Sequence, residues 1–244
     1  MVVASLHHGA RLVSVHCADG YHIFHARVMT SHTTAGWAQS LAYDVETGRL
    51  YVGDRAGGLY IYDCSPEAAA STKPDAVQQP VHGLPKAHGK KTVTDILLDE
   101  DGSIFTAGRD GYYRHYTVEE GSSAGGAGGA GGSAAAPGGG EGVGGEAGRS
   151  VLTLTCLGKH RVTAKLDWIV RLEKHNGSLV ALGFEKDHFT CIDISTGTKL
   201  CRISCGGGHR SWGFASGSNM ADNHVFVFIR NSLVNSSSIS PTEG

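Results

Sequence analysis

The residues with the most chemical reach lie between Cys201 and Trp212. Cys205 is followed by three glycines, Gly206 to Gly208, then His209, Arg210, Ser211 and Trp212. Three glycines in a row remove side chains and admit positive φ. Successive N–H groups in such a run can form a nest for an anion such as phosphate. Arg210 can hold a phosphate through two parallel N–H bonds, and Trp212 can stack on a base. The same residues also read as a tight crossing between two sheets, with His209 as a structural histidine and Trp212 as core. Cys201, Cys205 and His209, with Cys191 upstream, supply four soft ligands for zinc. Their spacing lacks the compact C-x2-C pairs of structural zinc sites, and two of them fall in or beside a strand. No metal site is expected.

Basic residues gather in three groups: Lys86, His88, Lys90 and Lys91; Arg109, Arg114 and His115; and Lys159, His160, Arg161 and Lys165. The first two belong to one repeat and can share a rim that holds RNA phosphates, with salt-dependent affinity. The alternative is a solvated surface balanced by Asp99, Glu100 and Asp101. Histidines 7, 8, 16, 22, 25 and 32 crowd the first segment without a recurring spacing or a carboxylate partner. They read as exposed strand-face residues. Gly126 to Gly131 formally matches G-x-G-x-x-G, but its flanks are more Gly, Ala and Ser. A phosphate fingerprint needs a strand before it and a helix after it. G-x-S-x-G, H-E-x-x-H and paired carboxylates in a plausible cleft are all missing, so catalysis by this chain is not expected.

The elements that must carry these residues are short. The chain has 244 residues and a net charge of −2, which excludes the strongly basic balance of a stand-alone nucleic-acid binder. Hydrophobic residues make up 40%, enough for a core. Fourteen of the 36 glycines fall in 121–149, a Gly/Ala stretch that cannot bury enough surface to order itself. Residues 119–150 are expected as a disordered loop and 231–244 as a disordered tail. Elsewhere apolar runs alternate with period two: Arg11–Cys17, Tyr21–Val28, Arg49–Val52, Leu59–Asp63, Thr92–Leu98, Ser103–Thr106, Tyr112–Val118, Leu179–Phe184, Phe189–Ile194 and Val225–Ile229. No helical stripe is sustained, so the chain reads as all-β. It has no run of 18 apolar residues, its six cysteines are scattered, and no secretory leader is expected. Free thiols and a cytoplasmic location are expected.

Three stretches of 25 residues align as strand–turn–strand units: 40–64, 94–118 and 170–194. Their first turns hold Glu46-Thr47-Gly48, Asp101-Gly102 and Asn176-Gly177; their second hold Ala56-Gly57, Asp110-Gly111 and Lys186-Asp187. A partial unit precedes them and a weaker one follows from Gly208. These units resemble WD40 repeats, the four-stranded blades of a β-propeller. The family's opening Gly-His pair is found as Gly208-His209 and, altered, as Ala87-His88. The resemblance implies that His88, Thr106 and Asp110 form a hydrogen-bonded network inside one blade. Tyr116 takes the place of the network's Trp, which leaves it without an indole donor. Blades occupy 1–118 (a partial first blade plus two) and 151–230. At about 40 residues per blade the chain supplies four to five, an incomplete ring or fragment with exposed sheet edges and poor solubility.

The segment LCRISCGGGHRSWGFA (200–215), with Gly108 to Gly111, Leu166 to Ile169 and Gly177 to Phe184, is similar to the WD repeat-containing protein 6 family. The similarity covers roughly 85–230 well. It implies a non-catalytic adaptor that partners an FtsJ-type methyltransferase and positions tRNA for 2′-O-ribose methylation of the wobble nucleotide. The partner would hold S-adenosylmethionine, and this chain no cofactor. Lys90, Lys91, Arg109, Arg114 and Arg210 are the candidates for tRNA or partner contact. The alternative function is a generic protein-interaction scaffold in trafficking or signalling, which any propeller can serve.

Overall fold

The computed structural model describes residues 2–5, 9–17, 21–29, 37–65, 68, 78–121, 151–162, 166–175, 177–215, 224–230 and 233–239, the first three segments as backbone strands. These form five antiparallel sheets that follow one another along the chain. The first blade has β1 (Val2–Ser5), β2 (Gly9–Cys17) and β3 (Tyr21–Met29). The second has β4 (Ala38–Asp44), β5 (Arg49–Asp54), β6 (Leu59–Asp63) and β7 (His82–Leu84). The third has β8 (Val93–Leu98), β9 (Ile104–Gly108), β10 (Tyr112–Gly121) and β11 (Val151–Arg161). The fourth has β12 (Trp168–His175), β13 (Ser178–Glu185), β14 (His188–Asp193) and β15 (Lys199–Ser204). The fifth has β16 (Trp212–Ala215), β17 (His224–Arg230) and β18 (Leu233–Ile239). This is a β-propeller arrangement, with three complete four-stranded blades.

The middle strands explain why the chain folds this way. Successive side chains of a strand point to opposite faces, and here both faces are covered. From the second blade, Leu50, Val52, Tyr60 and Tyr62 pack on one side. Tyr51, Leu59 and Ile61 pack on the other, against Val93, Ile96, Ile104, Tyr116 and Leu154 of the third blade. The third and fourth blades meet through Ala107, Leu166, Ile169, Ala181 and Ile192. The fourth and fifth meet through Val180, Leu182, Phe184, Phe189, Phe226 and Phe228, with Phe189 and Phe226 stacked at 4.0 Å. Strands buried on both faces read as near-continuous apolar runs rather than clean alternation.

Two expected boundaries move. The Gly/Ala stretch does not separate two groups of blades: it lies between the third and fourth strands of one blade. β10 extends to Gly121, so 119–121 is strand, and Gly121 pairs with Val151 of β11. Residues 122–150, including the Gly126 to Gly131 match, lie outside the described residues, as do the side chains of the early histidines. The expected tail carries β18, paired along its length with β17. Its serines gave no strand pattern because an edge strand is held by backbone pairing rather than by side-chain burial.

Short polar straps tie the innermost strands together. The Ser40 hydroxyl donates to the Val93 carbonyl at 3.0 Å and that of Thr94 to the Ile169 carbonyl at 2.5 Å. The Leu172 N–H donates to Asp95 Oδ2 at 2.7 Å. Asp95 and Arg171 border an axial cavity of about 430 Å³ together with Leu41, Trp212 and Phe214. Burial pushes the Asp95 carboxyl up to about 6, against the Leu172 N–H and the nearby Arg171. A carboxyl raised above its unfolded value of about 3.9 favours the protonated form on folding. Its contribution to stability is full below pH ~4 and is lost as pH rises through about 6. Asp95→Asn keeps a carbonyl acceptor without the charge. We expect it to gain about 1–3 kcal/mol over wild type at pH 7.5 in urea melts, with the difference gone at pH 4. A variant no more stable than wild type at pH 7.5 would contradict this.

Candidate nucleic-acid interface

Strand direction sorts the loops onto two faces. Residues 55–58, 85–92, 109–111, 162, 166–167, 186–187 and 205–211 lie at the end where the innermost strands begin. The turns 45–48, 99–103 and 194–198 lie at the other end, as do Gly177 and Gly121, the last described residue before 122–150.

The first face is rigid in the third blade. Asp110 lies between His88 and Arg114: His88 Nδ1 is 3.0 Å from its Oδ1, and Arg114 Nη2 donates to its Oδ2 at 2.7 Å. A second Arg114 nitrogen touches His88 Nδ1. The Thr106 hydroxyl is 2.9 Å from His88 Nε2 and hydrogen-bonds the Tyr116 phenol. Burial holds the His88 ring below its usual titration range, so the contact is a hydrogen bond of a neutral histidine. Burial pushes Asp110 up, but the hydrogen bonds from His88 and Arg114 outweigh it and hold the carboxyl far below its usual range. Two sequence expectations change here. Tyr116, buried at the end of the relay, joins the network through its hydroxyl, so the missing indole is replaced. Arg114 is only 5% exposed and spent on Asp110, so it is not available to RNA.

The glycine crossing is also structural. Gly206 and Gly207 have φ of 84° and 93°. A Cβ on Gly207 would lie 2.7 Å from the Lys186 carbonyl oxygen, and one on Gly208 2.6 Å from Trp168 and 2.7 Å from Phe184. The Cys205 and Gly206 N–H groups both donate to the Asp187 carbonyl, at 3.0 and 2.9 Å, so they do not form the expected anion nest. Trp212 packs against Phe184 and donates from Nε1 to the Gly208 carbonyl at 3.1 Å. His209 is not a buried blade histidine. Gly208 takes the interior place beside the aromatic rings, and His209 is left exposed with Arg210. The zinc set is dispersed: Cys191 and Cys201 pair across β14 and β15, Cys205 is buried in the aromatic core, and His209 faces solvent. Among the described residues no group of three or more His, Cys, Asp or Glu could hold a metal.

The crossing-side face is basic. Arg55, Lys86, Lys90, Lys91, Arg109, Lys186 and Arg210 are all exposed there. Among the described residues its exposed carboxylates are Asp167 and Asp187; Asp167 accepts from the Lys186 N–H, and Asp187 is paired with His188. The opposite end carries Asp44, Glu46, Asp99, Glu100, Asp101, Glu119, Glu120 and Asp193, with Arg49 and Lys174 tied to Glu120 and Asp99. The net charge of −2 therefore hides a polarised molecule. Of the five cations singled out in the sequence, Lys90, Lys91, Arg109 and Arg210 share the basic face. Arg55 and Lys186 were missed, although they sit on the second turns of their units, as Arg109 does. Lys186 is the one non-glycine with positive φ among the described residues, at 54°. Lys165 lies outside the described residues.

Gly208→Ala tests the crossing without altering charge. We expect a loss of about 1–3 kcal/mol in thermal melts, because the added methyl meets Trp168 and Phe184. An unchanged melting temperature would show that the crossing has room.

Comparison with known proteins agrees with this architecture. The chain is 28% identical over 137 residues to the tRNA (34-2'-O)-methyltransferase regulator WDR6 of Homo sapiens, which is 56% of this chain. It is 26% identical over 188 residues to that of Bos taurus, 68% of this chain. It spans 9–14% of the length of these relatives. No family model matches. Among solved structures it resembles the β-propeller domain of Myceliophteria_thermophila Cps50 (Swd1), with a TM-score of 0.51 at 13% identity, covering 96% of this chain and 65% of that one. That likeness concerns the fold alone. The chain is a β-propeller by its fold, and its sequence is similar to the WDR6 regulators.

Proposed function

We propose that the chain is a non-catalytic WD40 adaptor that presents tRNA to a methyltransferase. The observation that carries this is the basic face, where, among the described residues, seven exposed cations on the turns and crossings of adjoining blades meet two exposed carboxylates. Cations without local counter-charges attract a polyanion and gain affinity by releasing its counterions. The relatives' description as regulators of a tRNA (34-2'-O)-methyltransferase supplies the class of polyanion and the kind of partner. In this reading the partner is an FtsJ-type enzyme that binds S-adenosylmethionine and transfers the methyl group to the wobble ribose, in the cytoplasm. This chain holds the tRNA and limits the reaction to one position. Arg114 and the glycine crossing set the shape of the face, and Lys90, Lys91 and Arg210 touch phosphate.

The test is charge reversal at Lys90, Lys91 and Arg210 in the full chain bound to its methyltransferase. For every phosphate that is no longer neutralised, the plot of log affinity against log salt should flatten by about 0.9. The triple variant should hold tRNA less tightly by at least tenfold at low salt while keeping the enzyme. Unchanged retention and slope would remove the face from tRNA binding. Loss of the chain in cells should also remove the 2′-O-methyl mark at the wobble nucleotide. A general interaction scaffold would leave the mark intact.

A further inference from the structure

Two indoles and two guanidiniums mark one part of the basic face. Arg55 lies over Trp37 at 5.0 Å from the ring centre, and Arg109 over Trp168 at 4.0 Å. The two arginine turns are joined by a backbone relay. The Arg55 N–H donates to the Trp37 carbonyl at 3.0 Å, and the Arg109 N–H to the Thr92 carbonyl at 3.0 Å. The Thr92 hydroxyl donates to the Arg55 carbonyl at 3.4 Å. Burial first, then the like charge of Arg55, draws the Arg109 guanidinium below its usual range, so the two cations share one neighbourhood. The neighbouring carboxylates are engaged elsewhere. Asp54 is fully buried and accepts from the Gly58 N–H, and Asp110 is held by His88 and Arg114. No ion pair to Arg55 or Arg109 occurs among the described residues.

Such an arrangement repels itself unless an anion joins it. A guanidinium resting on an indole keeps its in-plane N–H groups for a phosphate and loses little freedom on binding one. Trp37 is 41% exposed on this face. An unpaired nucleotide offers both partners at once, whereas a duplex keeps its bases stacked inside. We infer that Arg55 and Arg109 clamp one phosphodiester of an unpaired RNA strand, with Trp37 stacking the adjoining base. This rests on the adaptor reading above and deepens it: the face would select a looped, single-stranded segment over a helix.

The probe is a short oligouridylate, titrated onto the full 244-residue chain by tryptophan fluorescence at several salt concentrations. Arg55→Gln with Arg109→Gln should flatten the salt slope by about 0.7, the share of the single phosphate they hold. Trp37→Ala should weaken binding about fivefold to 150-fold with the slope unchanged. Trp37→Phe should recover most of that affinity, which a merely structural role for the ring would not predict. An RNA duplex of equal length should be insensitive to Trp37→Ala. Melting curves confirm that each variant is folded. If wild type binds no oligouridylate, or if all variants bind as wild type does while the Lys90, Lys91 and Arg210 reversals still release tRNA, the clamp is wrong and the adaptor reading stands. If the clamp residues hold oligouridylate but the enzyme complex retains no tRNA, the adaptor reading fails and the site remains.

Discussion

Every blade of this molecule has two faces to cover, and no blade can cover both by itself. That constraint governs the rest. Leu50 and Tyr51 are neighbours in β5, yet they are buried in different interfaces. The same holds for Val180 and Ala181 in β13. Burial of this kind contributes about 25 cal/mol per Å² of apolar surface, but only when the next blade is in place. The turns at the blade ends are therefore fixed by packing between sheets rather than by their own sequences, and the cations on those turns inherit their positions.

Polarity follows from the same geometry. In an up-and-down meander, alternate turns emerge at opposite ends, so a bias in turn composition becomes a bias between faces. Here one set of turns carries arginine and lysine and the other aspartate and glutamate. The His88, Asp110 and Arg114 network holds the Arg109 turn from beneath. It spends one guanidinium internally so that a second, at the tip, stays exposed.

Much of this was legible in the chain. Period-two runs and the Gly-containing turns located most strands, because a hairpin turn with positive φ calls for glycine and both Gly102 and Gly177 supply it. His88, Thr106 and Asp110 could be placed in one network through the resemblance to WD40 repeats, whose blades carry such a network at these positions. Other features were hidden for physical reasons. β18 has serines where a strand usually shows valines, and β11 follows a stretch of glycine and alanine that masks its membership of the third blade. Arg114 looked like surface because its partners, His88 and Asp110, are distant in sequence or read as turn. His209 looked like a blade histidine because the Gly-His pair is present. Only the contact between Gly208 and the rings of Trp168 and Phe184 decides that the glycine, not the imidazole, goes inside. The basic face itself could not be seen in a net charge, which sums over both ends.

The departure of the chain after Gly121 and its return at Val151 carry a consequence for how this blade tolerates change. The two strands are joined in register at that point, so the segment between them closes a hairpin whose ends are already held together. The entropy of such closure grows only logarithmically, by about 0.6 kcal/mol for each doubling of length. Evolution can therefore lengthen, shorten or recompose this tether almost without penalty, and an experimenter can splice a reporter into it. Both ends of that segment, Gly121 and Val151, lie at the acidic end, opposite the turns and crossings that carry Arg55, Lys90, Lys91 and Arg109.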